Sequence, residues 1–256
     1  MSAARGWDAD TYHRVSGPQV AMSEAVIDRL ELRGDETVLD AGCGSGRVTR
    51  LLLDRLPAGR VIAVDADAGM VARAELELAG LPADVRRADL AALRLAPGEL
   101  VDAVFSNATF HWVPDHDALF ASLGAALRPG GRIAAQCGGA GNVAAVHGAA
   151  LAAATDAGLE EHFEDWPMPW NFQGPEATEA RLWAARFDDV RCWLQAWPVE
   201  PDEPRAYLKT VCLGPHLERL EPDDHERFLD AVMRRLGERP VLDYMRLNIV
   251  ATRGRD

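Results

Sequence analysis

The chain has 256 residues, 27 Lys plus Arg against 40 Asp plus Glu, a formal net charge of −13 and a hydrophobic share of 48%. That length suits one α/β domain with an appendage, and the composition is that of an ordered globular chain. The acidity argues against nucleic acid or an anionic membrane as partner, because neutralising phosphates needs a basic face.

No apolar run approaches a membrane span, and the opening MSAARGWDADTYHRVSG carries acids where a secretory signal would be apolar. Cys43, Cys137, Cys192 and Cys212 are scattered without a C-x-x-C pair, and the seven histidines form no H-x-x-x-H cluster. The expectation is a cytoplasmic chain with reduced thiols and no metal site.

Thr37–Ala41 is a β-branched and apolar run that ends in glycines, which predicts a strand. Ser45–Leu56 has helical spacing and stops at Pro57-Ala58-Gly59. Arg60–Asp65 predicts a second strand, and Asp67–Ala79 a helix with Asp67 as N-cap and Gly80 as its stop. Asp84–Ala88 is a weaker third strand and Leu100–Ser106 a stronger fourth. Asp115–Leu127 reads as helix before the Pro129-Gly130-Gly131 turn, and Arg132–Cys137 as a fifth strand. Strands alternating with helices of this length imply a doubly wound, mostly parallel sheet. Their unbroken apolar character implies helices on both faces.

After Cys137 the pattern changes. A glycine-rich exit, Gly138–Gly141, leads to a predicted helix over Asn142–Ala157 and then to Glu160–Pro175, rich in Trp, Phe, Met and Pro. Helices are expected near Glu203–Leu213 and Pro222–Leu236, and strands at Val190–Trp197 and Leu247–Thr252. The last two strands would extend the sheet to seven, with the helices and the Trp-rich segment forming a lid over its edge. The division is a core over residues 1–140, followed by lid helices and the last two strands over 141–256.

The strongest chemistry lies in VLDAGCGSGRVT, Val38–Thr49. Gly42, Gly44 and Gly46 let the backbone turn sharply and let a ligand lie against it. A dinucleotide fingerprint would need a small residue where Arg47 stands, and Asp40 would repel a pyrophosphate. No Gly-Lys-Ser/Thr follows, so a phosphate-binding P-loop fails as well. A carboxylate beside that turn suits an ammonium or sulfonium charge. Asp65 ends the second strand, where an acid can accept from ribose hydroxyls. Asp89, just after the third strand, could accept from an adenine amine, with Leu90 packing on the ring.

These residues resemble the class I S-adenosylmethionine-dependent methyltransferases. VLDAGCGSG looks like their first motif, VIAVDAD the acidic second, RRADL the third and LVDAVFSNATFHWV the fourth-strand motif; LRPGGRIAAQ is similar to their turn into the fifth strand. The likeness covers roughly Thr37–Cys137. WDADTYHRVSGPQ, NATFHWVPDH and MRLNIVATR further resemble the trans-aconitate methyltransferase-like subgroup.

The resemblance implies a Rossmann-like methyltransferase fold and S-adenosyl-L-methionine as cofactor. It implies that Asp40, Gly42 and Gly44 hold the methionine moiety, Asp65 and Ala66 the ribose, Asp89 and Leu90 the adenine, and that Asn107 contacts the cofactor. Trp7 and Tyr12 would fold over the methionine end. Cys43 reads as packing, since methyl transfer needs no enzyme thiol.

Methyl transfer is an in-line displacement at a carbon already activated, so the enzyme mostly aligns the reactants and excludes water. Amine-directed members often carry Asp/Asn-Pro-Pro-Tyr/Phe after the fourth strand; Ser106-Asn107-Ala108-Thr109 stands here and disfavours that subclass. The leading expectation is O-methylation of a carboxylate on a small molecule, which needs an orienting donor but no base. Phenol, enol or carbon methylation, and a non-catalytic cofactor-binding protein, are the alternatives. His111 is the first base or hydrogen-bond candidate and His13 the second. Trp112, Gln136, Trp166 and Trp170 are candidate pocket residues, in company with Phe163, Met168 and Phe172. An anionic acceptor would need some of the arginines concentrated at the lid, because the global field opposes it. Arg14, Arg181, Arg186 and Lys209 are the available cations.

Overall fold

Neighbouring residues of the central strands pack into two different apolar clusters, as a period of two demands when both sheet faces are covered. In the computed structural model, which describes residues 17–255 with side chains from Met22 onward, Val38, Val61 and Ala63 pack on one face. Their neighbours Leu39, Ile62 and Val64 pack on the other.

The described elements in chain order are α1 (Gly17–Asp28), β1 (Thr37–Ala41), α2 (Arg47–Leu53), β2 (Arg60–Asp65), α3 (Ala68–Glu77), β3 (Ala83–Arg87) and β4 (Val101–Asn107). There follow α4 (His116–Ala126), β5 (Leu127–Gly138), α5 (Ala144–Asp156), α6 (Pro175–Ala184) and β6 (Phe187–Ala196). The chain ends with α7 (Pro204–Tyr207), α8 (Gly214–Leu217), α9 (His225–Leu236) and β7 (Met245–Arg253).

The sheet has seven strands in the order β3-β2-β1-β4-β5-β7-β6. β1 to β5 pair in parallel, whereas β7 lies antiparallel between β5 and β6. The order reverses between β1 and β4, which opens a crevice at their carboxyl ends, where such sheets bind ligands. Asp67 caps α3 by accepting from the Met70 N–H at 2.9 Å, as predicted, and Asp115, the first residue of the stretch predicted as helix, caps α4 through the Ala118 N–H at 2.9 Å.

The second half differs in detail from the sequence reading. The helix expected over Glu203–Leu213 is one α-turn, α7, that continues as a wider π-turn over Leu208–Cys212. α6 was not anticipated; it starts with Pro175 in its first turn and buries only Thr178 and Leu182. The lid has an apolar core of its own: Val146, Ala150 and Ala153 of α5 pack with Tyr207, Leu208 and Leu213 and with Phe228, Leu229 and Val232 of α9. The four cysteines are free thiols, and no group of His, Cys, Asp or Glu among the described residues could hold a metal. No described helix is long and apolar enough to cross a membrane.

Candidate active site

The turn after β1 takes its shape from residues that only glycine can supply. Gly42, Gly44 and Gly46 all have left-handed φ, at 91°, 54° and 82°. A Cβ on Gly42 would stand 2.1 Å from Thr109 Oγ1, so the end of β4 closes against this turn. Ser106 Oγ donates to the Ala41 carbonyl at 2.6 Å, and Thr109 Oγ1 to that of Gly42 at 3.2 Å. A Cβ on Gly44 would meet nothing within 4 Å. Space therefore remains above the loop at that one position.

Two carboxylates sit beneath the loop. Asp65 accepts the Gly44 N–H and the Asp67 N–H, each at 2.9 Å, and burial raises its pKa despite those bonds. Asp40 is 1% exposed and accepts from Thr49 Oγ1 at 2.7 Å. Burial, with the charge of Asp65 added, pushes it up to about 7. Both acids would gain from a cationic neighbour. Backbone room over Gly44 together with one buried and one half-buried carboxylate fits the methionine and ribose portions of S-adenosylmethionine.

The remaining expected cofactor residues are placed as follows. Asn107 ends β4, half-buried and paired in register with Gln136. Asp89 is exposed and accepts the Ala91 N–H at 2.9 Å, capping a short 3-10 turn. Leu90 is buried, packed in the main core at the end of β3, where the short turn capped by Asp89 carries it inward. Ala66 is exposed, and its carbonyl accepts from Arg87 Nε at 3.1 Å. Cys43 packs in the core with its thiol pKa raised by burial and by both acids, which suits packing rather than nucleophilic chemistry. Trp7, Tyr12, His13 and Arg14 lie outside the described residues.

A cavity of about 50 Å³ opens just beyond β4. Ala108, His111 and Trp112 line it on the sheet side, with Trp170 and Phe172 from the Trp-rich segment. Asn142 and Val143 precede α5; Val211 and Cys212 come from the π-turn; Tyr244 and Arg246 come from the start of β7. Ala108 and Val143 both hold left-handed backbone, with φ of 59° and 47°. For a β-branched valine this is strained, and such strain gathers at ligand sites.

His111 is buried, and its Nδ1 accepts the Gly138 N–H at 3.2 Å. Burial, aided by the charge of Arg246, drives its pKa well below the ordinary value. The ring is therefore neutral, with its proton on Nε2. Asn171 stitches the Trp-rich segment to this turn: its N–H donates to the His111 carbonyl at 2.8 Å and its amide to the Pro114 carbonyl at 3.0 Å. Phe172 thereby rests 5.6 Å from the His111 ring, and Trp170 rests 5.7 Å from Trp112.

Not every expected pocket residue reaches the cavity. Gln136 is fully buried behind it, accepting from Arg246 Nε at 3.5 Å and donating to Asn248 Oδ1 at 2.7 Å. Trp166 packs edge-on to His216 in the lid, Phe163 stacks on Phe228, and Met168 lies at the surface. Arg181 pairs with Asp117 at 3.4 Å and Lys209 with Glu226 at 3.0 Å, both away from the cavity, while Arg186 sits in the turn before β6. Arg246, the cation that does line it, escaped the sequence reading. It is 2% exposed and lies in an apolar strand two residues from Asn248, on the same face.

The methyltransferase domain family matches residues 38–131. The trans-aconitate 2-methyltransferase of Deinococcus radiodurans is 30% identical over 271 residues, covering 96% of this chain and 98% of that protein. The chain belongs to the S-adenosylmethionine-dependent methyltransferases, in their trans-aconitate methyltransferase-like branch. The enzyme of that name from Azoarcus sp. (strain BH72) is 29% identical over 248 residues, 88% of this chain and 87% of its own. Among solved structures, phosphoethanolamine N-methyltransferase 2 of Haemonchus contortus with S-adenosyl-L-methionine superposes with a TM-score of 0.63 at 16% identity, covering 96% of this chain and 56% of that one. The YcgJ protein of Bacillus subtilis gives 0.63 at 13%, covering 93% and 98%. These structures share the fold. This methyltransferase thus uses S-adenosylmethionine.

Proposed function

We propose that the enzyme transfers a methyl group to a carboxylate oxygen of a small-molecule acid. The observation that carries this reading is the presence, on one cavity beside the glycine turn, of a buried guanidinium, Arg246, and a neutral N–H donor, His111. In this reading Asp40, Gly42 and Gly44 hold the methionine end of the cofactor, Asp65 with Ala66 the ribose, Asp89 the adenine edge, and Asn107 the rim. When bound, S-adenosylmethionine supplies a methyl carbon already activated by its sulfonium.

A carboxylate is ionised at neutral pH, so the chain needs no base. Arg246 binds and turns it, since a guanidinium matches carboxylate geometry. In this reading the His111 Nε2–H donates to the same group. Its Nδ1, occupied by Gly138, takes no proton from an acceptor, which argues against the phenol and enol alternatives. Trp112, Trp170 and Phe172 exclude water from the line of transfer. The named activity of the full-length relatives, on trans-aconitate, supports an acid as acceptor.

The test is methyl-ester formation from a panel of carboxylic acids and phenols with S-adenosylmethionine as donor. Ester formation is the expected result. Turnover of phenols with none of carboxylates would overturn the reading.

A further inference from the structure

Arg246 comes to the cavity from a strand face that also carries two buried amides, and hydrogen bonds run from it through both of them to α1. Resting on the carboxylate reading, we propose that Arg29 and Asn248 are positioning residues: acting through Gln136, they fix the orientation of the Arg246 guanidinium for the acceptor carboxylate.

Gln136 of β5 and Asn248 of β7 stand opposite each other in register, and Arg246 lies two residues along β7 on the same face. α1 covers that face, since its Val26 and Ile27 pack with Ala134, two residues before Gln136. Asn248 Oδ1 accepts from Arg29 Nη1, just past the end of α1, and from Gln136 Nε2, each at 2.7 Å. Gln136 Oε1 accepts from Arg246 Nε at 3.5 Å, and Asn248 Nδ2 donates to the Arg246 carbonyl at 3.4 Å.

This relay can run with one polarity. A guanidinium donates and never accepts, so Arg29 compels Asn248 to present its oxygen. That oxygen compels Gln136 to present its amide N–H, which turns the Gln136 oxygen toward Arg246. Arg246, also a donor only, thus meets an acceptor whose direction was set at the far end. Arg29 is itself held, 5.0 Å over the Trp193 ring, and Trp193 pairs in register with Asn248. Gln136 and Asn248 are fully buried. Amides at these sheet positions cost desolvation that apolar side chains would not. What they add is direction, and a guanidinium that must meet a carboxylate edge-on binds better when held before the acceptor arrives.

The experiment follows the Arg246 Nε–H by heteronuclear NMR, its signal assigned by its loss in Arg246→Lys. Protein saturated with S-adenosylhomocysteine is titrated with sodium acetate, the bare carboxylate, against sodium chloride at equal strength. The expected result is a rigid Nε–H in the wild type whose signal acetate shifts and chloride does not. Arg29→Met and Asn248→Leu should each loosen that N–H and raise the acetate concentration at half-shift by about fivefold, the scale of one orienting hydrogen bond. The Kd for S-adenosylhomocysteine should stay unchanged. Arg29→Lys, which keeps a donor, and Asn248→Asp, which keeps the acceptor, should recover most of both effects. Arg29 is half-buried at a helix end, so Arg29→Met tests the relay even if Asn248→Leu fails to fold. Wild-type rigidity and acetate response in Arg29→Met would overturn the proposal and leave the carboxylate reading standing. A loosened N–H with an unchanged acetate response would overturn it too, because the relay would then serve no carboxylate. A wild-type signal that acetate leaves unmoved up to about 100 mM would overturn the carboxylate reading and this proposal with it.

Discussion

The Gly138 N–H points at Nδ1 of His111 across 3.2 Å, joining the exit of β5 to the turn after β4. This one bond sets the tautomer of the ring and therefore its chemical part. With Nδ1 accepting, the neutral imidazole carries its proton on Nε2 and is a donor.

His111→Ala should therefore lower kcat/KM by about tenfold, the worth of one orienting hydrogen bond. The pH profile should keep its shape between about pH 6 and 9, because the ring does not titrate there. His111→Gln, which retains an N–H donor, should recover part of the loss. Disappearance of a pH limb in the alanine variant would mark His111 as a base instead.

Asp40 offers a prediction with opposite signs for stability and binding. Its carboxyl ionises near 7 in the folded protein, against an ordinary 3.8. The proton it retains therefore stabilises the fold fully below about pH 4, and that stabilisation is lost as pH rises through about 7. Above that the fold carries a buried charge. Asp40→Asn should raise stability at pH 8 by on the order of 2 kcal/mol, with little change near pH 4. The same variant should bind S-adenosylmethionine more weakly, and wild-type affinity should fall as pH drops below 7. Paired thermal melts and calorimetric titrations would check both halves.

Gly42 and Gly44 should fail in different ways. Gly42→Ala drives a Cβ into Thr109 and should destabilise the protein by about 2–4 kcal/mol, visible as a lower Tm. Gly44→Ala has free space around its Cβ and should fold at a cost of about 1 kcal/mol while losing cofactor affinity. Equal affinity for the cofactor in Gly44→Ala and wild type would place the ligand elsewhere.

Asp65→Ala should weaken cofactor binding by about 1–3 kcal/mol, the scale of a lost buried charged hydrogen bond. Part of this would act through the loop, since Asp65 holds the Gly44 N–H. An unchanged Kd would remove Asp65 from the site.

The first half of the chain was readable because its signals are local. Asp67 and Asp115 cap the helices predicted for them, and Arg60–Asp65 forms the strand predicted from its apolar run. The lid was less readable. α6 carries its polar residues outward with a thin apolar stripe, and the stretch over Leu208–Cys212 widens into a π-turn to fit Tyr207 and Leu213 into the lid core. Among the aromatic residues of Glu160–Pro175, composition could not separate Trp170 and Phe172, which line the cavity, from Phe163 and Trp166, which hold the lid together. Asn171 makes that separation, through hydrogen bonds to a turn 57 residues away.

Alternation of apolar runs with helical periods was enough to specify the doubly wound sheet, and the family resemblance carried by VLDAGCGSG and VIAVDAD was enough to indicate the cofactor, because strand, turn and helix sit side by side in the chain. The acceptor cavity is different, since it joins the end of β4, the Trp-rich segment, the π-turn and the start of β7. Arg246 reads in sequence as an ordinary strand arginine, and a basic lid was the expected answer to an acidic chain. The insertion of β7 between β5 and β6 buries that arginine beside His111. Strand order rests on long-range packing, and no local pattern records it.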